Sequence, residues 1–379
     1  MTYSGPRLTP AKWAAIAATI AAIAYGVFVY RLWIARSHDV SRFIVLASES
    51  VDARHVPPGV TVLKDVGGYD GTAFYRLALD PFTRSRTEFG ITLDVPGYRQ
   101  QRIGYPLVVW LLSFGRPAAV PWLLVIVNCM AVAAIAGVGA LLASVLGRHP
   151  LWGLLFAFYP GFLYSVSRDL CEPLACAFAV SALLAMSRKR YGVASVLLTA
   201  AVLTRETFLL LAIAWGIAWL WTRTKIVVFA VPMTAFVIWQ AILRLNWGTV
   251  ALQAAAPQFT APFTQYWHAL AGSSSLWHEH RLHFFELAYL LIVTALTLIS
   301  VKTNATPAWA VAWGGYLGLA AILPAGVWSE DVAYMRVLSD FYVIGTAIFL
   351  RSTRSRRWIA GIATAILWYY LASHLVEYS

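Results

Sequence analysis

Apolar runs separated by single charges or short charged clusters dominate the chain. They fall near 13–34, 120–146, 151–167, 170–187, 191–203, 206–222, 226–243, 286–301, 307–325, 339–350 and 358–376. A hydrocarbon core about 30 Å thick takes about 20 helical residues to cross. The pattern therefore predicts an all-α polytopic membrane protein of about 11 transmembrane helices, several of them short, in a single domain over 1–379. Two regions break the rhythm. Residues 37–116 carry turn chemistry at Pro57-Pro58-Gly59, Gly67-Gly68 and Pro96-Gly97. They read as a long first loop containing interfacial helices, the clearest being 104–114, too short to span before Arg116-Pro117. Residues 244–285, rich in Ala, Gln and aromatics, read as a second large loop.

Composition agrees with this picture. The chain is 60% hydrophobic and 12% charged, more apolar surface than a soluble domain of this size can hide. Residues 13–34 are too long and unbroken for a cleaved signal peptide and read as the first span. Cys129, Cys171 and Cys176 lie in apolar runs without CxxC spacing, so neither a metal site nor a disulfide is implied.

The net charge of +12 points to orientation and not to nucleic acid. With the N-terminus placed inside and sides alternating, the inner segments hold Arg7, Lys12, Arg148, Arg188, Lys189, Arg190, Arg223, Lys225, Lys302, Arg351, Arg354, Arg356 and Arg357. All 17 acids fall on the other side. The basic bias predicts a cytoplasmic N-terminus in a plasma (inner) membrane. The acids then place polar chemistry on the extracytoplasmic face.

Four outer segments concentrate charge. The stretch "VGGYDGTAFYRLALDPF" (66–82) offers Tyr69, Asp70, Arg76 and Asp80, with Asp65 just before it and Arg99 and Arg102 further along the same loop. "SRDLCEP" offers Arg168, Asp169 and Glu172, and "LTRET" offers Arg205 and Glu206. "WSEDVAYMRVLSDFY" offers Glu330, Asp331, Arg336 and Asp340. Residues 191–222 must cross twice within roughly 48 Å of helix. This places Arg205 and Glu206 below the surface, where ionisable groups line a water-filled cavity or form a buried structural pair. An Asp between Tyr and Gly is most simply a turn residue; the arginines around it raise a second reading. Arginine stays charged and pairs bidentately with phosphate. One carboxylate among several arginines suits a lipid-linked phosphate and an acceptor hydroxyl. "WHEHRLHFFE" (277–286) is not HExxH, because Leu282 stands where the second histidine belongs. It reads as an interfacial helix, and neither a metal nor another cofactor is expected.

"GGYDGTAFYRLALDPF", "YRQQRIGYPLVVWLL", "RDLCEPLACAFAV", "LTRETFLLL" and "MRVLSDFYV" together resemble the GT-C superfamily of integral membrane glycosyltransferases. The nearest likeness is to its bacterial mannosyltransferase-like branch. The resemblance implies a multi-span helical fold of the cell envelope, a catalytic acid in the first outer loop, and a polyprenyl-phosphate sugar as donor. By position Asp70 matches that acid, and Gly71 stands where the superfamily frequently carries a second one. Asp70 is then the expected base towards a glycan, lipid or protein acceptor. Arg336, Arg205 and Arg102 are expected at the donor phosphate. Tyr69, Arg99, Arg168, Asp169, Glu172, Glu206 and Asp331 are expected around the cavity. The alternatives are a lipid-linked sugar flippase or transporter, and a non-enzymatic membrane scaffold.

Overall fold

Thr9 caps the first helix by accepting from the Lys12 amide, and Pro10 occupies its first turn, where no amide is needed. From there α1 (Pro10–Ala35) runs for 26 residues, about 39 Å. The computed structural model describes residues 8–64, 66–222, 225–249, 251, 261–265, 267, 268, 271, 281–328 and 330–378. Among them, five helices are long and apolar enough to cross a membrane: Pro10–Ala35, Pro117–Val145, Val227–Trp247, Arg281–Lys302 and Arg354–Glu377. Shorter apolar helices cover Gly104–Ser113, Glu172–Ser187, Tyr191–Thr204, Glu206–Trp221 and Ser339–Phe349. The architecture is that of an all-α membrane protein, with fewer full-length helices than the apolar runs suggest. One run, 151–167, breaks at Pro160, which ends one short helix and starts another.

The first loop is more ordered than its turn residues imply. It contains α2 (Asp70–Leu79), then a strand pair β1 (Thr87–Glu88) and β2 (Ile91–Thr92), then α3 (Pro96–Gln100) and α4 (Gly104–Ser113). The strands are two residues each, too short to leave an alternating signal in the sequence. Behind this loop, α5 (Val120–Val145) forms the centre of the bundle, packed by α1, by α4 and by the helix over 172–187. After the short helices α6 (Leu154–Ala157) and α7 (Gly161–Ser167), α8 (Glu172–Ser187) and α9 (Tyr191–Thr204) form an antiparallel pair. Arg188-Lys189-Arg190 joins them, with Lys189 in the left-handed region at φ 57°. The hairpin returns Arg205 to the end of the bundle where Glu172 begins.

Two close approaches fix the loop on the bundle. A Cβ on Gly71 would lie 2.4 Å from the Arg168 carbonyl oxygen and 2.7 Å from that of Ile44. A Cβ on Gly104 would lie 2.9 Å from the backbone of Thr204. The start of α2 thus presses on the turn before α8, and the start of α4 presses on the end of α9. The position after Asp70 has no room for a second carboxylate.

The ends of α1 mark the ends of the molecule. Trp13 packs edge-on against His149 at 4.8 Å. Just past the other end, Arg36 donates to the Ser167 carbonyl at 2.8 Å. Asp70 belongs to the Arg36 end.

The packing gives a stability test. Gly71→Ala forces a methyl into two carbonyl oxygens and is expected to destabilise by about 1–3 kcal/mol. Gly192→Ala, in open space within α9, is expected to be neutral or to stabilise by up to about 1 kcal/mol. Thermal unfolding in detergent micelles compares them; equal midpoints would mean that the Gly71 contact is not tight.

Candidate functional site

Helix starts bring acids to one place. Asp70 lies in the first turn of α2, Glu172 in that of α8, and Asp340 in that of the helix Ser339–Phe349. Each carboxylate sits where a helix presents its positive end. Arginines close the gaps between them. Arg99, from α3, donates to Asp70 Oδ1. Arg336, from the short helix Asp331–Val337, places Nη1 2.8 Å from Asp70 Oδ2. Arg102, between α3 and α4, lies 3.6 Å from the same oxygen.

The pairing extends in both directions from Asp70. Outward, Arg99 forks onto Asp94 with two 2.8 Å bonds, and Arg102 forks onto Glu206 at 2.8 and 2.6 Å. Inward, Arg336 reaches Glu172 at 3.2 Å, Glu172 lies 3.4 Å from Arg205, and Arg205 lies 3.5 Å from Asp340. Thr207 donates to Asp340. The Tyr69 ring lies between two guanidiniums, Arg168 and Arg336, each 4.9 Å from its centroid. Burial by itself would push the Asp70 carboxyl up. Arg336, Arg99 and Arg102 more than reverse this and hold it well below the usual carboxylate range.

The arginines differ in what remains free. Arg205 is 3% exposed. Its Nη1 donates to the Arg336 carbonyl at 3.0 Å and to Ser339 Oγ at 2.9 Å, and its Nη2 to the Val337 carbonyl at 3.0 Å. It therefore stitches residue 205 to the backbone that carries Arg336. Arg99 instead faces a cavity of about 430 Å³, walled also by Tyr69, Asp70, Thr72, Asp94 and Glu49.

Of the residues singled out in the sequence, the structure gathers Tyr69, Asp70, Arg99, Arg102, Arg168, Glu172, Arg205, Glu206 and Arg336 in this one cluster. Asp169 stands apart. It is fully buried, in the left-handed region at φ 51°, and neither carboxylate oxygen has a hydrogen-bond partner. The Asp331 side chain and Asp65 lie outside the described residues. Asp94, not singled out in the sequence, and Asp340, named among the outer charges but not placed at the cavity, also join the cluster. For Asp340 the signal was available: an acid in the first turn of an apolar helix, as at Glu172. Asp94 looked like an ordinary loop acid before Val95-Pro96.

Residues 272–280, with His278, Glu279 and His280, also lie outside the described residues. From the rest of that segment, Glu286 accepts from Tyr164 Oη at 2.8 Å and Tyr334 Oη at 2.5 Å. His283 Nδ1 lies 3.2 Å from Tyr334 Oη. Among the described residues, no three His, Cys, Asp or Glu side chains are grouped to hold a metal ion.

No family model, curated protein or solved structure matches the chain.

The burial of Arg205 makes it a structural keystone. Arg205→Ala takes from buried Asp340 its arginine and leaves Glu172 with Arg336 alone, which costs about 3–5 kcal/mol. Arg84→Ala, at an exposed loop position, should stay within about 0.5 kcal/mol. Thermal unfolding checks both, and an Arg205→Ala midpoint as high as that of Arg84→Ala would remove the keystone role.

Proposed function

We propose that this protein is a membrane glycosyltransferase of GT-C type. It moves a sugar from a polyprenyl-phosphate donor to an acceptor hydroxyl on a glycan, lipid or protein, at the extracytoplasmic face of a plasma membrane. In this reading the chain crosses the membrane about 11 times, the shorter apolar helices included, and the N-terminus is cytoplasmic. The observation that carries the reading is Asp70, a carboxylate on a cavity wall, held by Arg99, Arg102 and Arg336 at one end of a helical membrane bundle.

With three guanidiniums on it, Asp70 is ionised but a weak base. A donor phosphate entering the cavity competes for the same guanidiniums. As Arg102 and Arg336 turn to the phosphate, Asp70 loses the charges that hold its proton affinity down. The acceptor oxygen then attacks the anomeric carbon while its proton passes to Asp70. The bond from that carbon to the phosphate oxygen breaks, and the lipid phosphate leaves on the arginines with no need of a general acid. A single displacement inverts the anomeric centre. Arg205 holds the backbone of Arg336. An apolar cleft lined by Leu290, Leu317, Trp328, Leu338 and Phe341 begins two residues beyond Arg336 and suits the start of a prenyl tail.

The experiment uses radiolabelled polyprenyl-phosphate sugar with protein reconstituted in vesicles. Asp70→Asn keeps the shape but cannot take the proton, and transfer should fall by about 10²–10⁴. Donor affinity should hold or rise, because the guanidiniums no longer serve Asp70. Arg336→Ala should weaken donor use about tenfold or more, the loss of one charge-assisted bond. Movement of label across the bilayer without a new glycoconjugate would make the protein a flippase, and neither movement nor transfer would leave a scaffold. A folded Asp70→Asn protein that transfers at the native rate would remove Asp70 from the chemistry.

A further inference from the structure

The end of the bundle opposite Asp70 carries a second charged cavity of a different kind. About 550 Å³ in volume, it is lined by Arg148, His149, Trp152, Arg354, Arg357 and Trp358, among other residues. Among the described residues no carboxylate lines it, and the sequence has no Asp or Glu over 95–168 or 341–376. Among the described residues the positive charges here have no carboxylate partner, unlike every arginine bound to Asp70.

Local structure sharpens the imbalance. Arg354 begins the helix Arg354–Glu377, whose first turn contains no acid and whose Thr353 side chain bonds Ser355 Oγ and caps no helix amide. Helix amides without partners and a positive dipole end favour an anion; here basic side chains occupy that position. Arg148 spends its donors on the Leu350 and Arg351 carbonyls at 3.1 and 2.6 Å. Arg357, 8% exposed, gives Nη1 to the Leu350 and Ser352 carbonyls, while its Nε has no hydrogen-bond partner. Its guanidinium lies 5.5 Å over the Trp152 ring. Trp152 and Trp358 meet edge to face at 5.2 Å. Indole rings are enriched at the headgroup level of a bilayer, where one side is apolar and the other wet.

We propose that this cavity is a phosphate-anion site that takes the headgroup of an anionic phospholipid. Arg354 and Arg357 hold the phosphate, the start of the helix Arg354–Glu377 adds its amides, and the two indoles flank the glycerol and upper acyl region. Basic pockets between helices at one membrane face are suited to such headgroups. The site stands independently of the transferase reading and of Asp70.

The test titrates the full chain, in phosphatidylcholine mixed micelles, with dioleoyl phosphatidylglycerol, with further dioleoyl phosphatidylcholine, or with inorganic phosphate. The thermal midpoint is the readout, since a ligand that binds only the folded state raises it. Phosphatidylglycerol should raise the midpoint saturably and phosphatidylcholine should not. Arg354→Gln, at an exposed position outside the bundle's interior, should weaken the apparent affinity about tenfold. Arg188→Gln, a basic residue at the same end but not on the cavity wall, should leave it unchanged. Inorganic phosphate reproducing the whole effect, with the same loss in Arg354→Gln, would assign the site to free phosphate and overturn the lipid. No difference between the two lipids, or equal losses in both variants, would overturn the site altogether.

Discussion

A charge taken into an apolar bundle must bring its counter-charge with it. Desolvating either partner alone costs several kcal/mol. That constraint organises the Asp70 end of this protein. Glu172, Arg205 and Asp340 form the deep part, where Glu172 and Asp340 are each 1% exposed. Arg336 joins this part to Asp70, and Arg99 joins Asp70 to Asp94, whose side chain is 60% exposed. The ion pairs therefore run from dry interior to solvent, and Asp70, at 14% exposed, sits at the crossing. A wholly buried group cannot meet a substrate, and a solvated one has no unusual chemistry. The intermediate position has both access and a tuned charge.

The same pairing holds the first loop in place. Asp70 and Arg99 belong to the loop, Glu172 and Arg205 to the α8–α9 hairpin, and Arg336 to the short helix that follows Trp328. No two partners of an ion pair around Asp70, Glu172 and Arg205 come from the same helix. Geometry set this way is stiff in its deep part, where carbonyl acceptors add to the ion pairs around Arg205. It is looser towards the cavity, where Arg99 and Arg102 are side chains on a short loop helix and its exit. An incoming anion moves the outer guanidiniums more easily than the inner one.

The long helices were legible because hydrophobicity is a sum over many residues. The runs that become α1, α5 and the helices ending at Trp247, Lys302 and Glu377 needed no tertiary information. The run at 151–167 shows what such a sum leaves out: it is divided into two short helices on either side of Pro160 while the sum stays apolar. Site residues were legible where charge interrupted an apolar run, as at Glu172 and Arg205. Asp94 was not, because its role depends on a contact with Arg99 across the start of α3. Asp169 shows the converse error. It stands next to Arg168 in sequence, but its left-handed backbone turns it into the interior, away from the cluster that Arg168 joins through Tyr69.

The two ends of the molecule hold arginines in opposite states. Arg99, Arg102 and Arg336 already have a carboxylate, so an anion arriving at them gains only the difference between its own attraction and the one it replaces. Such a site binds moderately and releases readily, which suits a substrate that must come and go. Around Arg354 and Arg357 no carboxylate among the described residues has to be displaced, so an anion gains its attraction to the guanidiniums and to the helix start without breaking an ion pair. Such a site suits a resident ligand. One compositional fact, the absence of any Asp or Glu over 95–168 and 341–376, thus leaves the Arg354 end to cations while the Asp70 end pairs its arginines with carboxylates.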